Sequence, residues 1–364
     1  MRETDVVVIG AGQAGLSSAY FLRHYGFEDH VVLDGGKGPG GAWQHRWPSL
    51  RLGRVHGIYP LPGFPPIRAD TERPASEVVA DYFAAYERRF ELPVRRPVQV
   101  ASVRHGPDER LIVATGPDEW AARAVINATG TWTRPFWPYY PGSGSFQGRQ
   151  LHTADYRGAE EFRGRRVIVV GGGSSAVELV AELSQVAAVT WVSRGKPVFR
   201  DDPFNVEIGR NAVALVDERV RKGLPPRSVV SVTGLWSAPE LRAAVAQVPW
   251  HGIFREITAN GVRWQDGTGQ PADVILWATG FRAALDHLAP LGLRAPGGGI
   301  VMDGTRVVAE PRLHLVGYGP SASTVGANRA GRAAVREIRA LLGEKRLVDV
   351  AVGTGRRGDR PAGE

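Results

Sequence analysis

The chain of 364 residues contains no cysteine, so no disulfide framework, thiolate metal site or Cys-x-x-Cys redox pair can exist in it. Any electron transfer it performs runs through bound groups rather than through its own thiols. Long apolar runs are equally scarce: no stretch approaches the roughly 18 consecutive apolar residues that a membrane-crossing helix needs. The first apolar run, Val6 to Leu22, is broken by a glycine loop and preceded by Glu3 and Asp5, which a secretory signal would not carry. A cytoplasmic protein with no membrane partner is therefore expected. Acids are outnumbered, 37 against 45 bases, for a formal charge of +8. The bases are overwhelmingly arginine and scattered in runs of two or three, which argues against a nucleic-acid partner.

What the chain has in abundance is glycine, 46 residues, and two glycine clusters carry most of the information. Asp5-Val-Val-Val-Ile9 has the composition of a buried strand. Gly10-Ala-Gly12-Gln13-Ala14-Gly15 follows it, and Ala14 to Tyr25 carries apolar residues at helical spacing. His30 to Leu33 then reads as a second strand, which closes a βαβ unit. The pattern restarts at Arg165-Arg-Val-Ile-Val-Val170, followed by Gly171-Gly-Gly173-Ser174-Ser175-Ala176, a helix from Ser174 to about Val186 and a strand at Val189–Val192. In such turns the glycines allow a tight reversal, close backbone approach to a pyrophosphate and close helix–strand contact. The helix N-terminus behind them stabilises phosphate charge. Two dinucleotide sites in one chain imply that electrons pass from one dinucleotide to the other, and the absent cysteines exclude a disulfide reductase.

The two sites are not alike. Asp34 stands at the end of the strand after the first turn, where a carboxylate accepts hydrogen bonds from ribose hydroxyls and repels a 2′-phosphate; this suits FAD or NAD. The corresponding strand after the second turn ends in Ser193-Arg194, and arginine binds phosphate through a permanently charged fork, so NADPH is expected there. Two further segments, Val125 to Ala128-Thr129-Gly130 and Val274 to Ala278-Thr279-Gly280, each end a strand in Ala-Thr-Gly and read as returns between two domains. Gly35 to Pro66 has little periodicity but is rich in Gly, Pro and aromatics; its tryptophans favour a functional loop. Ser76 reads as the cap of a helix through Phe90, and a last helix is expected from about Val325 to Leu342.

Between the two turns lies Phe146-Gln-Gly148-Arg-Gln-Leu-His152-Thr-Ala-Asp-Tyr156-Arg157. With it the chain resembles the flavin-containing monooxygenases, whose Phe-x-Gly-x3-His-x3-(Phe/Tyr)-Lys signature is met except for Arg157 in place of Lys. The resemblance covers about residues 1 to 345. It continues at Gly40-Gly41-Ala-Trp43, similar to the family's flavin-wrapping Gly-Gly-x-Trp, and at Ser49-Leu-Arg-Leu52. At Gly317 to Gly326-Ala327-Asn328 it continues in a segment like the last FAD contact. It implies that Leu52, Val100, the two Ala-Thr-Gly returns, Gly317, Gly326 and Ala327 join the glycine turns in holding the cofactors. His152 is then a structural residue of the linker. Many members carry Asn just after the Ser-Leu-x-x segment, where this chain has Gly53, followed by Arg54 and His56; ketone-inserting members usually have Trp-Pro where Tyr156-Arg157 stands.

The expected fold is α/β with two Rossmann-like domains: an FAD domain from residues 1–157 and 280–345, an NADPH domain inserted at 158–279, and a disordered tail at 346–364. The resemblance implies that NADPH reduces FAD, that O2 then forms a C4a-(hydro)peroxyflavin, and that one oxygen atom passes to a small-molecule substrate. His56 and Asn328 are the candidate catalytic residues, because the motifs around them resemble flavin-facing segments. No metal is expected, and a homodimer is left open. Two alternatives stand beside this reading: an NADPH oxidase or flavin-linked reductase without oxygenation, and a non-catalytic NADPH or redox sensor.

Overall fold

The structure, a computed structural model, describes the chain except residues 53–57, 69, 201–205, 228–233, 236–237 and 354–364. For residues 206, 208 and 344–353 only the backbone is described. Two parallel sheets organise it. In the first, β1 (Arg2–Ile9) lies between β2 (His30–Leu33) and β6 (Glu119–Asn127), both parallel to it. β3 (Val94–Arg95) extends the sheet beyond β2. On the other side β17 (Glu310–Leu315) runs parallel to β6 and is followed by the short antiparallel β16 (Arg306–Val307) and β15 (Met302–Asp303). β4 (Ser102–His105) and β5 (Leu111–Ala114) form an antiparallel offshoot of β6.

The second sheet has the order β10-β9-β8-β14-β7, from Trp250–His251, Ala188–Val192, Arg166–Val170, Val274–Trp277 and Arg149–His152, all parallel. β1 and β8 are buried on both faces, which is why they read as continuous Val/Ile runs and not as alternation. Helix α1 (Gln13–His24) covers one face of the first sheet with Leu16, Ala19 and Leu22; α3 (Ser174–Leu183) does the same for the second with Val177, Val180 and Leu183.

Several expectations are corrected. The linker strand β7, placed before a domain boundary at residue 157, is hydrogen-bonded along its length to β14 and so belongs to the second sheet. Helix α2 (Ala75–Arg89) starts after Pro74, whose fixed φ of −53° and missing N–H suit the position, and Ser76 lies inside it without capping. α4 (Val206–Arg221), α5 (Pro239–Ala246) and the small antiparallel sheet β11 (Glu256–Thr258), β12 (Gly261–Arg263), β13 (Gly269–Pro271) were not anticipated. The last helix, α6 (Thr324–Gly353), continues past Leu342 into the span expected to be a tail. None of the described helices is long and apolar enough to cross a membrane, and no cluster of three or more His, Asp or Glu is placed to hold a metal among the described residues.

Candidate functional site

The two glycine turns repeat one piece of geometry. Gly10 has φ of +99°, a region that favours glycine, and a Cβ on it would lie 2.6 Å from the carbonyl oxygen of Ala128. A Cβ on Gly171 would lie 2.2 Å from the carbonyl oxygen of Ala278. Each Ala-Thr-Gly return ends the strand parallel to its glycine-turn strand, β6 beside β1 and β14 beside β8, and crowds the first glycine. Gly15 takes the expected close-contact role, since a Cβ there would meet the Gly10 carbonyl oxygen at 1.8 Å. Ala176 stands in the same place at the second turn and is fully buried.

Both turns fit the phosphates of a dinucleotide. Neither Gly12 nor Gly173, the residues preceding α1 and α3, provides a side chain that caps the helix, so the first backbone N–H groups are left to an external acceptor. A Cβ on Gly173 meets no protein atom within 4 Å, and one on Gly12 meets only Gly41 Cα at 4.0 Å. Gln13, Ala14, Ser174 and Ser175 line the first turns of the two helices, and the buried Oε1 of Gln13 has no hydrogen-bond partner among the described residues.

The strand ends differ as expected, with an addition. Asp34 is buried, and its Oδ2 accepts from Arg96 Nε at 2.6 Å, while Arg96 makes a two-pronged pair with Glu87 at 2.7 and 2.6 Å. Arg96 thereby holds the Asp34 carboxylate in place, and its Oδ1 makes no hydrogen bond to the described residues. At the second site the hydroxyl of Ser193 is buried, accepts from Trp250 Nε1 and donates to the Gly195 carbonyl, both at 2.8 Å. Arg194 and Lys196 beside it are exposed.

The segment after the first turn folds back over it. Gly41, at φ +52°, opens a single 3-10 turn (Gly41–His45), and a Cβ there would come within 2.9 Å of Gly12 Cα. Trp43 is half-buried, with the Arg46 guanidinium 5.7 Å from its ring. Leu52 packs in the apolar layer that includes α1, and Val100 in the layer on the opposite face of the first sheet. His56, with Gly53 and Arg54, lies outside the described residues.

Asn328, the second candidate catalytic residue, bridges three segments. Its Nδ2 donates to the Pro60 carbonyl at 2.8 Å and its Oδ1 accepts from Gln13 Nε2 at 2.9 Å, so the carboxamide joins α1, α6 and the Tyr59–Pro60 segment. Near it Gly317, at φ +74°, lies against Ala14, and Gly326 and Ala327 form the first turn of α6.

In the linker, Phe146 packs against the core of the second sheet, and a Cβ on Gly148 would meet the Asp273 carbonyl at 2.5 Å. His152 is fully buried. Its Nδ1 accepts from the Ala154 N–H at 3.1 Å, which leaves Nε2–H to donate to the Gly280 carbonyl at 3.0 Å. Burial, ahead of the opposing Gly280 hydrogen bond, lowers its pKa. Tyr156 is buried against Trp47 and Phe162, and burial followed by the nearby Glu182 pushes its pKa upward. Glu182 on α3 also accepts from Ser49 Oγ at 2.8 Å, which ties the loop after the first turn to the helix of the second. The returns are joined as well: Phe136 N–H donates to Gly280 O at 2.9 Å, and Thr129 Oγ1 to Ala284 O at 2.7 Å. Sequence reasoning missed Arg96 and Glu182, because each acts through a partner far away in the chain, and with Arg96 it missed Glu87, which pairs with it.

Fold and site define a class: an α/β oxidoreductase with two dinucleotide cradles and no redox-active cysteine. A profile of the pyridine nucleotide-disulphide oxidoreductase family matches residues 7–223. A flavin-containing monooxygenase from Stenotrophomonas maltophilia has a similar structure, with TM-score 0.81 and 39% identity over 94% of this chain and 100% of that one. The uncharacterized oxidoreductase CzcO of Bacillus subtilis is 28% identical over 294 residues, 77% of this chain and 82% of its own. The rice indole-3-pyruvate monooxygenase YUCCA8 is 26% identical over 323 residues, 76% of each. The chain belongs to the flavin-containing monooxygenases, within the wider pyridine nucleotide-disulphide oxidoreductase family, whose cofactors FAD and NADPH fit the two turns. It is a flavoprotein monooxygenase, and the disulfide chemistry in the wider family's name has no thiol to act on here.

Proposed function

We propose that the protein is an NADPH-dependent monooxygenase of a small organic molecule. FAD occupies the unit around the first sheet and NADPH the unit around the second, with NADPH, a proton, O2 and substrate becoming NADP⁺, water and oxygenated substrate. The observation that carries this is the asymmetry of two otherwise repeated cradles, Asp34 fixed by Arg96 at one strand end and Ser193 turned inward beside an exposed Arg194 at the other. Bound flavin supplies the electron transfer and the activation of oxygen. The protein's own part is positional. The uncapped N-termini of α1 and α3 hold pyrophosphates, and the Gly41–His45 turn closes over the first cradle. Neutral His152, Thr279 and Gly280 brace the two returns against each other, with Thr279 Oγ1 donating to Phe136 O at 2.5 Å.

Purified protein loaded with FAD tests this directly. Oxygenated product should form in step with NADPH consumed, with one atom from labelled O2 in the product. If all the NADPH oxidised is matched by hydrogen peroxide with every nitrogen, sulfur or activated-carbon compound tried, the oxidase reading takes its place. On this reading the enzyme works in the cytoplasm, away from the membrane.

A further inference from the structure

Arg46 contrasts with those shielded arginines of this protein that have a carboxylate partner. Arg96 pairs with Asp34 and Glu87, Arg123 with Asp5, Arg312 with Glu310, and Arg110 with Glu3. Arg46 is half-buried, yet no carboxylate among the described residues pairs with it. Loss of water alone lowers its pKa, with no charged neighbour contributing. The undescribed stretch closest in sequence, residues 53–57, contains no acid. Removing a guanidinium from water without a counter-charge is costly, and an anion bound here would offset that cost.

The surroundings indicate which anion. The guanidinium carbon lies 5.7 Å from the Trp43 ring and 5.1 Å from the Trp132 ring, so two indole faces flank the cation. Trp132 stacks on Phe281, with centroids 4.9 Å apart and planes 26° from parallel. These residues come from the turn over the first cradle and from just beyond each Ala-Thr-Gly return, so the cage forms at the carboxyl ends of strands from both sheets, where open α/β folds bind ligands. Dinucleotide phosphates already have the uncapped helix N-termini of α1 and α3. With the phosphates held there, the guanidinium fork is open to a planar carboxylate, which it pairs bidentately, and the flat indole walls suit an apolar body attached to that carboxylate.

We propose that Arg46, held between Trp43 and Trp132, anchors the carboxylate of a flat, apolar organic acid. This rests on the monooxygenase reading and narrows its substrate class.

The test uses FAD-loaded enzyme with 2-naphthoate, neutral 2-naphthamide and inorganic phosphate as probes, followed by quenching of tryptophan fluorescence and by calorimetry. Naphthoate should bind saturably and more tightly than naphthamide, and phosphate should not compete. Arg46→Gln should weaken naphthoate about tenfold or more, as expected for loss of a charge-assisted pair, and leave naphthamide, FAD content and NADP⁺ affinity unchanged. Arg46→Lys should keep part of the affinity. Trp132→Leu should weaken both naphthyl probes, which supplies a second arm if Arg46→Gln does not fold. The proposal is overturned if Arg46→Gln binds naphthoate normally, or if it sheds FAD or loses NADP⁺ by the same factor, since the cation then serves a cofactor. Naphthoate binding without any oxygenated product would leave this inference standing and count against the monooxygenase reading.

Discussion

Gly173 and Gly171 sit two residues apart in the second turn, yet alanine should affect them in different ways. Gly173 has φ −99° and ψ 178°, ordinary extended backbone, and an added Cβ meets no protein atom within 4 Å. The folded protein therefore tolerates Gly173→Ala, and FAD content and melting temperature should not change. The new methyl instead fills space at the uncapped start of α3, where a pyrophosphate approaches. An overpacked methyl costs about 1–3 kcal/mol, which is roughly a 5- to 150-fold loss of NADPH affinity. Gly171→Ala meets the Ala278 carbonyl at 2.2 Å and must displace backbone. A cost of about 3 kcal/mol, spread over an unfolding entropy of roughly 2.1 cal/mol/K per residue, lowers the melting temperature by about 4 °C for a chain of this length. Rapid-mixing measurement of FAD reduction against NADPH concentration, with melting followed by flavin release, reads both effects. If Gly173→Ala reduced FAD with unaltered NADPH dependence, the second turn would not be a dinucleotide site.

Arg194→Ala should raise KM for NADPH by about tenfold and KM for NADH little, because an exposed guanidinium contributes to a 2′-phosphate through a solvent-screened pair; equal effects on both would count against the assignment. Asn328→Ala should loosen FAD binding and lower stability by about 1–3 kcal/mol, through the lost bonds to Pro60 and Gln13. Its product-to-NADPH ratio should hold, and a collapse of that ratio with FAD fully retained would restore a catalytic role. Burial lowers the pKa of both His287 and His314 to about 4. A depressed histidine means that the unfolded chain binds more protons, so stability should be full above pH 6.5 and fall as pH drops from there toward 4. The loss is about 1 kcal/mol per histidine by pH 5.5. Urea midpoints against pH should show the slope, and His314→Gln should remove about half of it; a flat profile in the unaltered protein would refute the assignment.

Much of this protein is fixed by local pattern. Strand, glycine turn and helix recur within βαβ units because a buried parallel strand must be apolar on both faces and a phosphate must reach backbone N–H groups, and both demands fall on neighbouring residues. Asp34, Ser193 and Arg194 could be found because a strand end lies at a set distance from its turn. Other elements escaped the pattern. β10 is two residues long, and β7 gave no sign of which sheet it would join, since its partner β14 lies more than a hundred residues away. Asn328 reads in sequence as a residue of a flavin-facing segment, and its contacts with Gln13 and Pro60 depend on segments far from it in the chain.

The sequence by itself determined that two unequal dinucleotide cradles exist and that no thiol takes part. Only the tertiary structure decided what supports the first of them, the Asp34–Arg96–Glu87 chain, and what stands between the two, the Ser49–Glu182 tie and the indole-flanked Arg46. Cradles are made of consecutive residues whose backbone conformation is locally constrained. These contacts are made by side chains from distant segments, and their juxtaposition depends on how the two sheets and their returns pack.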